Sequence, residues 1–103
     1  MADRIDATTF RAAGGVGDWQ AHDDMVTASF RTRSFSRGVD LIVEVGREAD
    51  AADHHPDVDL RFGTVTFHLT THDTGGLTQR DIDLARRISE IARRMGIDPV
   101  VVG

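Results

Sequence analysis

The chain has 103 residues, 40% of them hydrophobic and 28% charged, with a formal net charge of −5. Such a size and balance predict one small domain over residues 1–103 built around a single core, and the acidic total argues against generic binding to nucleic-acid backbone. The absence of cysteine excludes disulfides, thiolate catalysis and thiolate metal sites.

Asp6 to Ala13 predicts a short opening helix, with Asp6 or Thr8 as cap and Gly14-Gly15 as stop. An extended piece begins at Trp19 and breaks at Asp23-Asp24. Met25 to Arg33 alternates, with Val26, Ala28 and Phe30 on one face and Thr27, Ser29 and Arg31 on the other. That is the period of a half-buried strand, and the two pieces read as a hairpin. From Ser36 the period lengthens. Phe35, Val39, Ile42, Val45, Ala49 and Ala52 recur at threes and fours as one stripe of an amphipathic helix, capped by Ser34 or Ser36. Gly46 and Glu48 are mild faults in it. Pro56 disfavours helical geometry at His55, so the helix is expected to end at or just before the histidine pair.

Asp57 to Arg61 reads as a short strand and Thr64 to Thr71 as a longer one, with Val65, Phe67 and Leu69 opposite Thr64, Thr66, His68 and Thr70. If the strand continues, His72 shares the face of His68 and Thr70. Gly75-Gly76 turns the chain and lacks the flanking pattern of a phosphate loop. Thr78-Gln79-Arg80-Asp81 has the form of a capping box. The last helix carries Ile82, Ala85, Ile88, Ile91, Ala92 and Met95 on one stripe and ends near Gly96 and Pro99. Arg86, Arg87, Arg93 and Arg94 near its end read as solvated, dipole-compensating residues. The order helix, strand, strand, helix, strand, strand, helix predicts an α+β two-layer sandwich, a four-stranded antiparallel sheet with three helices on one face. No apolar run approaches the roughly 18 residues of a membrane span. Met1 to Asp6 has no apolar signal core, so the expected location is cytoplasmic.

Chemistry concentrates at His54-His55-Pro56-Asp57 and His72-Asp73, which together hold three of the five histidines. Imidazole, with an unperturbed pKa of about 6.5, both gives and takes protons near neutrality. The end of the central helix, the Pro56 corner and the end of the long strand can reach one sheet edge, so His54 and His72 can face a common cleft. His55, one residue on, points elsewhere as a binder or wall. Two imidazoles without a nucleophile suit an elimination or an isomerisation. Two plainer readings compete: a helix end with imidazoles at the negative pole of the dipole, and a metal site made of His54, His72 and Asp73. Asp81 is either a helix cap alone or a cap that also approaches the site. His22 and His68 carry no functional expectation.

Asp50, three residues, His54-His55-Pro56, five residues, Phe62, nine residues, His72, eight residues, Asp81: this spacing resembles the signature of the pterin-4a-carbinolamine dehydratases. Seven positions match over thirty-two residues. The runs Ala51 to Asp59 and Leu69 to Thr78 are similar to bacterial members, and the likeness extends weakly to Trp19 and Phe35. The resemblance implies a lyase that dehydrates 4a-hydroxytetrahydropterin to quinonoid dihydropterin, recycling the cofactor of aromatic amino acid hydroxylases. It implies no metal or organic cofactor and a pterin as the small-molecule partner. His54 and His72 correspond to the acid/base histidines, and His55 to the substrate-binding one. Pro56 and Asp57 fall beside it, while Asp50 and Asp81 would tune or position the histidines. The resemblance also implies a homodimer or homotetramer formed through sheet edges, with the Thr64–Thr71 strand as a candidate edge. Two alternatives stay open: a non-catalytic protein-binding or assembly factor on the same fold, and a pterin-binding role in another pathway. Three departures stand out. Gly63 after Phe62 is expected to weaken a strand, Glu48 occupies a position often apolar in relatives, and Arg11 to Val16 is richer in glycine.

Overall fold

Alternation builds the sheet. In the computed structural model, which describes residues 3–101, strand β3 (Met25–Arg31) buries Val26, Ala28 and Phe30, and β5 (Thr64–Leu69) buries Val65, Phe67 and Leu69. The two strands pair antiparallel with Phe30 opposite Val65 and Val26 opposite Leu69, so six apolar side chains lie on one face. Thr27, Ser29, Thr66 and His68 line the other, half-buried face, where Ser29 and Thr66 hydroxyls meet at 2.7 Å and Thr27 meets His68 Nδ1 at 3.0 Å. Strand β2 (Gln20–His22) pairs with β3 around the Asp23-Asp24 turn, and β4 (Asp57–Arg61) pairs with β5, giving the order β2-β3-β5-β4. Met1, Ala2, Val102 and Gly103, the ends of the expected domain, lie outside the described residues.

All three expected helices form. Helix α1 (Ala7–Ala12) starts where the Asp6 carboxylate accepts from the Thr9 amide at 2.8 Å, a bond that holds this carboxyl below its ordinary pKa. Helix α2 (Phe35–Ala52) is capped by Ser34, and α3 (Gln79–Arg94) by a reciprocal capping box between Thr78 and Asp81. Three two-residue strands complete the chain: β1 (Arg4–Ile5) pairs with β6 (Leu77–Thr78), and β7 (Asp98–Pro99) pairs with the far end of β3. Trp19 is buried between layers and donates its indole N–H to the Ala85 carbonyl and the Ser89 hydroxyl. Phe30 and Phe67 pack edge to face at 6.0 Å in the core. Among the described residues no helix is long and apolar enough to cross a membrane.

Four expectations need correction. Of the expected α2 stripe, Val45 and Ala49 are buried and Ile42 is half-buried, but Phe35, Val39 and Ala52 are exposed, and Gly38 and Leu41 complete the buried face instead. Glycine at position 38 permits the close approach to the sheet: a Cβ there would lie 2.7 Å from Leu60 Cδ1 and 3.1 Å from Val65 Cγ2, so those side chains would have to shift. The longer strand ends at Leu69 rather than Thr71, and it runs between β3 and β4 instead of along an edge. Gly63 sits in the turn between β4 and β5, where it weakens no strand. Glu48 leaves α2 to meet Arg87 of α3 at 3.3 Å, a polar bridge between two helices.

Candidate active site

The end of α2 is built from backbone bonds. The Asp53 amide donates to the Asp50 carbonyl at 3.2 Å and the His54 amide to the Ala49 carbonyl at 3.1 Å, the paired closure of a Schellman motif. Asp53 supplies the left-handed residue that this closure requires, at φ 51° and ψ 42°. Aspartate tolerates that region better than most side chains, though less freely than glycine. The helix therefore stops at Ala52, four residues before Pro56, and the left-handed turn swings His54 inward while His55 stays exposed.

The second histidine arrives by another route. Thr71 continues the buried face of β5 by one more alternation, and its backbone closes a small loop with Gly76 through bonds of 3.0 and 3.3 Å. Within that loop His72, Asp73 and Thr74 form one 3-10 turn. His72 thus leaves the sheet altogether and does not share the face of His68 and Thr70; it stands exposed at the mouth of the cleft.

Asp81 ties these pieces to α3. Its carboxylate is fully buried, accepts from His54 Nε2 at 2.6 Å through Oδ1, and through Oδ2 accepts from the Thr71 hydroxyl at 2.7 Å and the Thr78 amide at 2.9 Å. The Thr78 hydroxyl meets that of Thr71 at 2.8 Å, so the polar cluster is fully partnered. A carboxylate only accepts, which assigns the hydrogen to Nε2 of His54. Nδ1 is then the nitrogen left for exchange: a lone pair in the neutral ring, a donor in the imidazolium. The sequence offered cap alone or cap plus site contact for Asp81; the geometry gives both.

His54, His55, Pro56, Asp57 and His72 line one cleft of about 380 Å³, within the range of small-molecule sites. Asp50 stands outside the lining on the helix surface, where its carboxylate meets His55 Nε2 at 2.9 Å in a largely exposed pair. Asp81 lies behind the lining and reaches the cleft through His54 and Thr71, which both bond to its carboxylate. Sequence reasoning passed over Thr71 and Arg80, which also line the cleft. Thr71 was findable: a threonine in register with Val65, Phe67 and Leu69 on a buried face must bond its hydroxyl to something. Arg80 carried no such signal, since the capping box explained its neighbours. Among the described residues no three His, Asp or Glu side chains converge to hold a metal ion, so His54, His72 and Asp73 do not form the ligand set considered from sequence.

Comparisons with known proteins agree with this architecture. The family model described as Pterin 4 alpha carbinolamine dehydratase matches residues 3–91. A Nocardia farcinica protein is 49% identical over 76 residues, covering 74% of this chain and 80% of its own. A Roseiflexus sp. (strain RS-1) protein is 44% identical over 92 residues, 88% of this chain and 99% of its own. Both carry the name pterin-4-alpha-carbinolamine dehydratase provisionally. A crystal structure named transcriptional coactivator/pterin dehydratase, from Brucella melitensis, superposes with a TM-score of 0.75 at 30% identity, covering 87% of this chain and 99% of that one.

Proposed function

The chain belongs to the pterin 4 alpha carbinolamine dehydratase family, and from that premise we propose that it expels water from 4a-hydroxytetrahydropterin with His54 and His72 as the acid/base pair. The reaction breaks the C4a–O bond, removes the proton on N5 and forms the C4a=N5 bond of quinonoid dihydropterin. Hydroxide leaves poorly, so one imidazolium delivers a proton to the departing oxygen while the other ring, neutral, takes the N5 proton. Each such transfer contributes about 10²–10⁴-fold. The observation that carries the reading is the buried His54–Asp81 bond of 2.6 Å, opening onto the cleft that His72 also lines. It leaves His54 with one committed nitrogen and one for exchange. His55, oriented by Asp50, binds the substrate with Pro56 and Asp57 as the adjoining wall, and Asp81 positions His54. The biological use in this reading is to return the pterin spent by an aromatic amino acid hydroxylase.

The test is stopped-flow dehydration of 4a-hydroxytetrahydropterin by purified protein in the presence of a chelator. Wild type accelerates the reaction, and His54→Ala or His72→Ala slows it by about 10²-fold or more. A wild-type rate no greater than the uncatalysed one would sink the enzyme reading and leave the protein-binding alternative.

The same reading includes self-association. Phe35, Val39 and Val43 are exposed at four-residue spacing on α2, an apolar stripe turned away from the sheet. A second copy of the chain related by a two-fold axis presents the same stripe in return. Strand β4 closes one side of the sheet with an unpaired edge and an exposed Val58.

A further inference from the structure

Arg80 occupies the second position of α3, where a cation opposes the helix dipole. Local preference does not account for it; its tertiary contacts do. Nη2 donates to the Asp53 carbonyl at 2.6 Å, a charge-assisted bond. Nη1 stands 4.0 Å from Asp73 Oδ2, an ion-pair distance. Asp53 immediately precedes His54, Asp73 immediately follows His72, and Asp81, the next residue in the chain, is the partner of His54. One side chain therefore joins the three segments that carry the candidate acid/base machinery. Arg80 and His54 also line both the main cleft and a smaller cavity of about 130 Å³ floored by Ala52 and Leu84.

We propose that Arg80 is a positioning residue: it fixes the left-handed turn at Asp53 relative to the start of α3, and so holds His54 against Asp81 and toward the cleft. The assignment rests on the dehydratase reading above. Cutting Arg80 back removes the tie between Asp53 and α3 and a side chain that lines both cavities beside His54, so the ring is freer to leave its carboxylate. The planar fork matters, because Arg80 reaches the Asp53 carbonyl and the Asp73 carboxylate with two different nitrogens, where the shorter lysine has one.

The experiment compares wild type with Arg80→Gln, Arg80→Lys and Arg80→Ala, reading kcat and KM separately and the His54 ring nitrogens by NMR. Small displacements of a reacting group cost up to about 10²-fold, so Arg80→Gln and Arg80→Ala should lower kcat about 10- to 100-fold with little change in KM. The His54 signal should lose its single Nε2–H form in the same variants. Arg80→Lys should follow the glutamine variant, and added guanidinium, at concentrations that leave the fold intact, should restore part of the alanine variant's rate. A variant kcat within about twofold of wild type would overturn the proposal, as would a rise in KM alone, which marks a substrate-binding role. Loss of rate with the His54 tautomer intact also overturns it. If wild type does not dehydrate the pterin at all, the dehydratase reading fails, and the NMR arm still decides whether Arg80 positions His54.

Discussion

Replacing Asp81 with asparagine tests the site at its centre, because the change keeps shape while removing charge and one acceptor. Asp81 receives three donors: His54 Nε2 at 2.6 Å, the Thr71 hydroxyl at 2.7 Å and the Thr78 amide at 2.9 Å. Asparagine has one oxygen and one NH2. With the oxygen toward Thr71 and Thr78, the cap of α3 survives and the NH2 faces His54. With the oxygen toward His54, the buried Thr78 amide loses its acceptor, at about 1–3 kcal/mol, and the Thr71 hydroxyl must turn to accept from the NH2. The first arrangement wins. It forces the His54 hydrogen from Nε2 to Nδ1, so the nitrogen left for exchange becomes a donor and its lone pair is lost. The imidazolium is disfavoured as well, since its Nε2–H would then face an amide donor. The expected loss is about 10²–10⁴-fold in kcat, the full contribution of one acid/base group. Losing the charged contact should cost about 1–3 kcal/mol of stability, small enough against a typical total of about 5–15 kcal/mol for the variant to stay folded. The assay is the pH dependence of dehydration, alongside a denaturant melt. A variant that folds and retains kcat within about threefold, with its pH profile unmoved, would refute the assignment of His54 and Asp81 as one unit.

Two further outcomes follow from the same geometry. His55→Ala should raise KM more than it lowers kcat, measured in the same stopped-flow assay, because the exposed His55–Asp50 pair borders the cleft without touching Asp81. Val43→Glu should convert an oligomer to monomers in sedimentation velocity by placing a charge in the apolar stripe of α2; a monomeric wild type would dismiss self-association outright.

The order of the main elements was legible because each carries a clear period or a named cap: alternation in β3 and β5, Ser34 before α2, Thr78 before α3. The rotation of α2 was not. Two stripes run along that helix at spacings of three and four, and an apolar count favours the one through Phe35 and Val39. The buried side includes Gly38, which has no side chain to count and shows its value only where the sheet comes close to it. The strands β1, β6 and β7 are two residues long, too short to show any alternation. At the site, five of the expected residues line one cleft because the motif spacing brings a helix end and a strand end together. The placement of His72 needed more: strand period carries through Thr71, but the 3-10 turn that follows comes from the loop closing on Gly76. Arg80 was hidden for a different reason. Its partner is a backbone carbonyl, and carbonyls leave no mark in a sequence.

The Asp81 carboxylate caps α3 and holds His54 at the same time. The two tasks share one pair of oxygens, so any change of charge or tilt in the imidazole is felt by the Thr78 amide across 2.9 Å. That amide becomes a reporter placed by the fold: its deuterium exchange should register occupancy of the cleft without any label on the ligand. The link runs backward too. The cap and the histidine contact rest on the same carboxylate, so heat inactivation should coincide with the loss of the α3 helix signal.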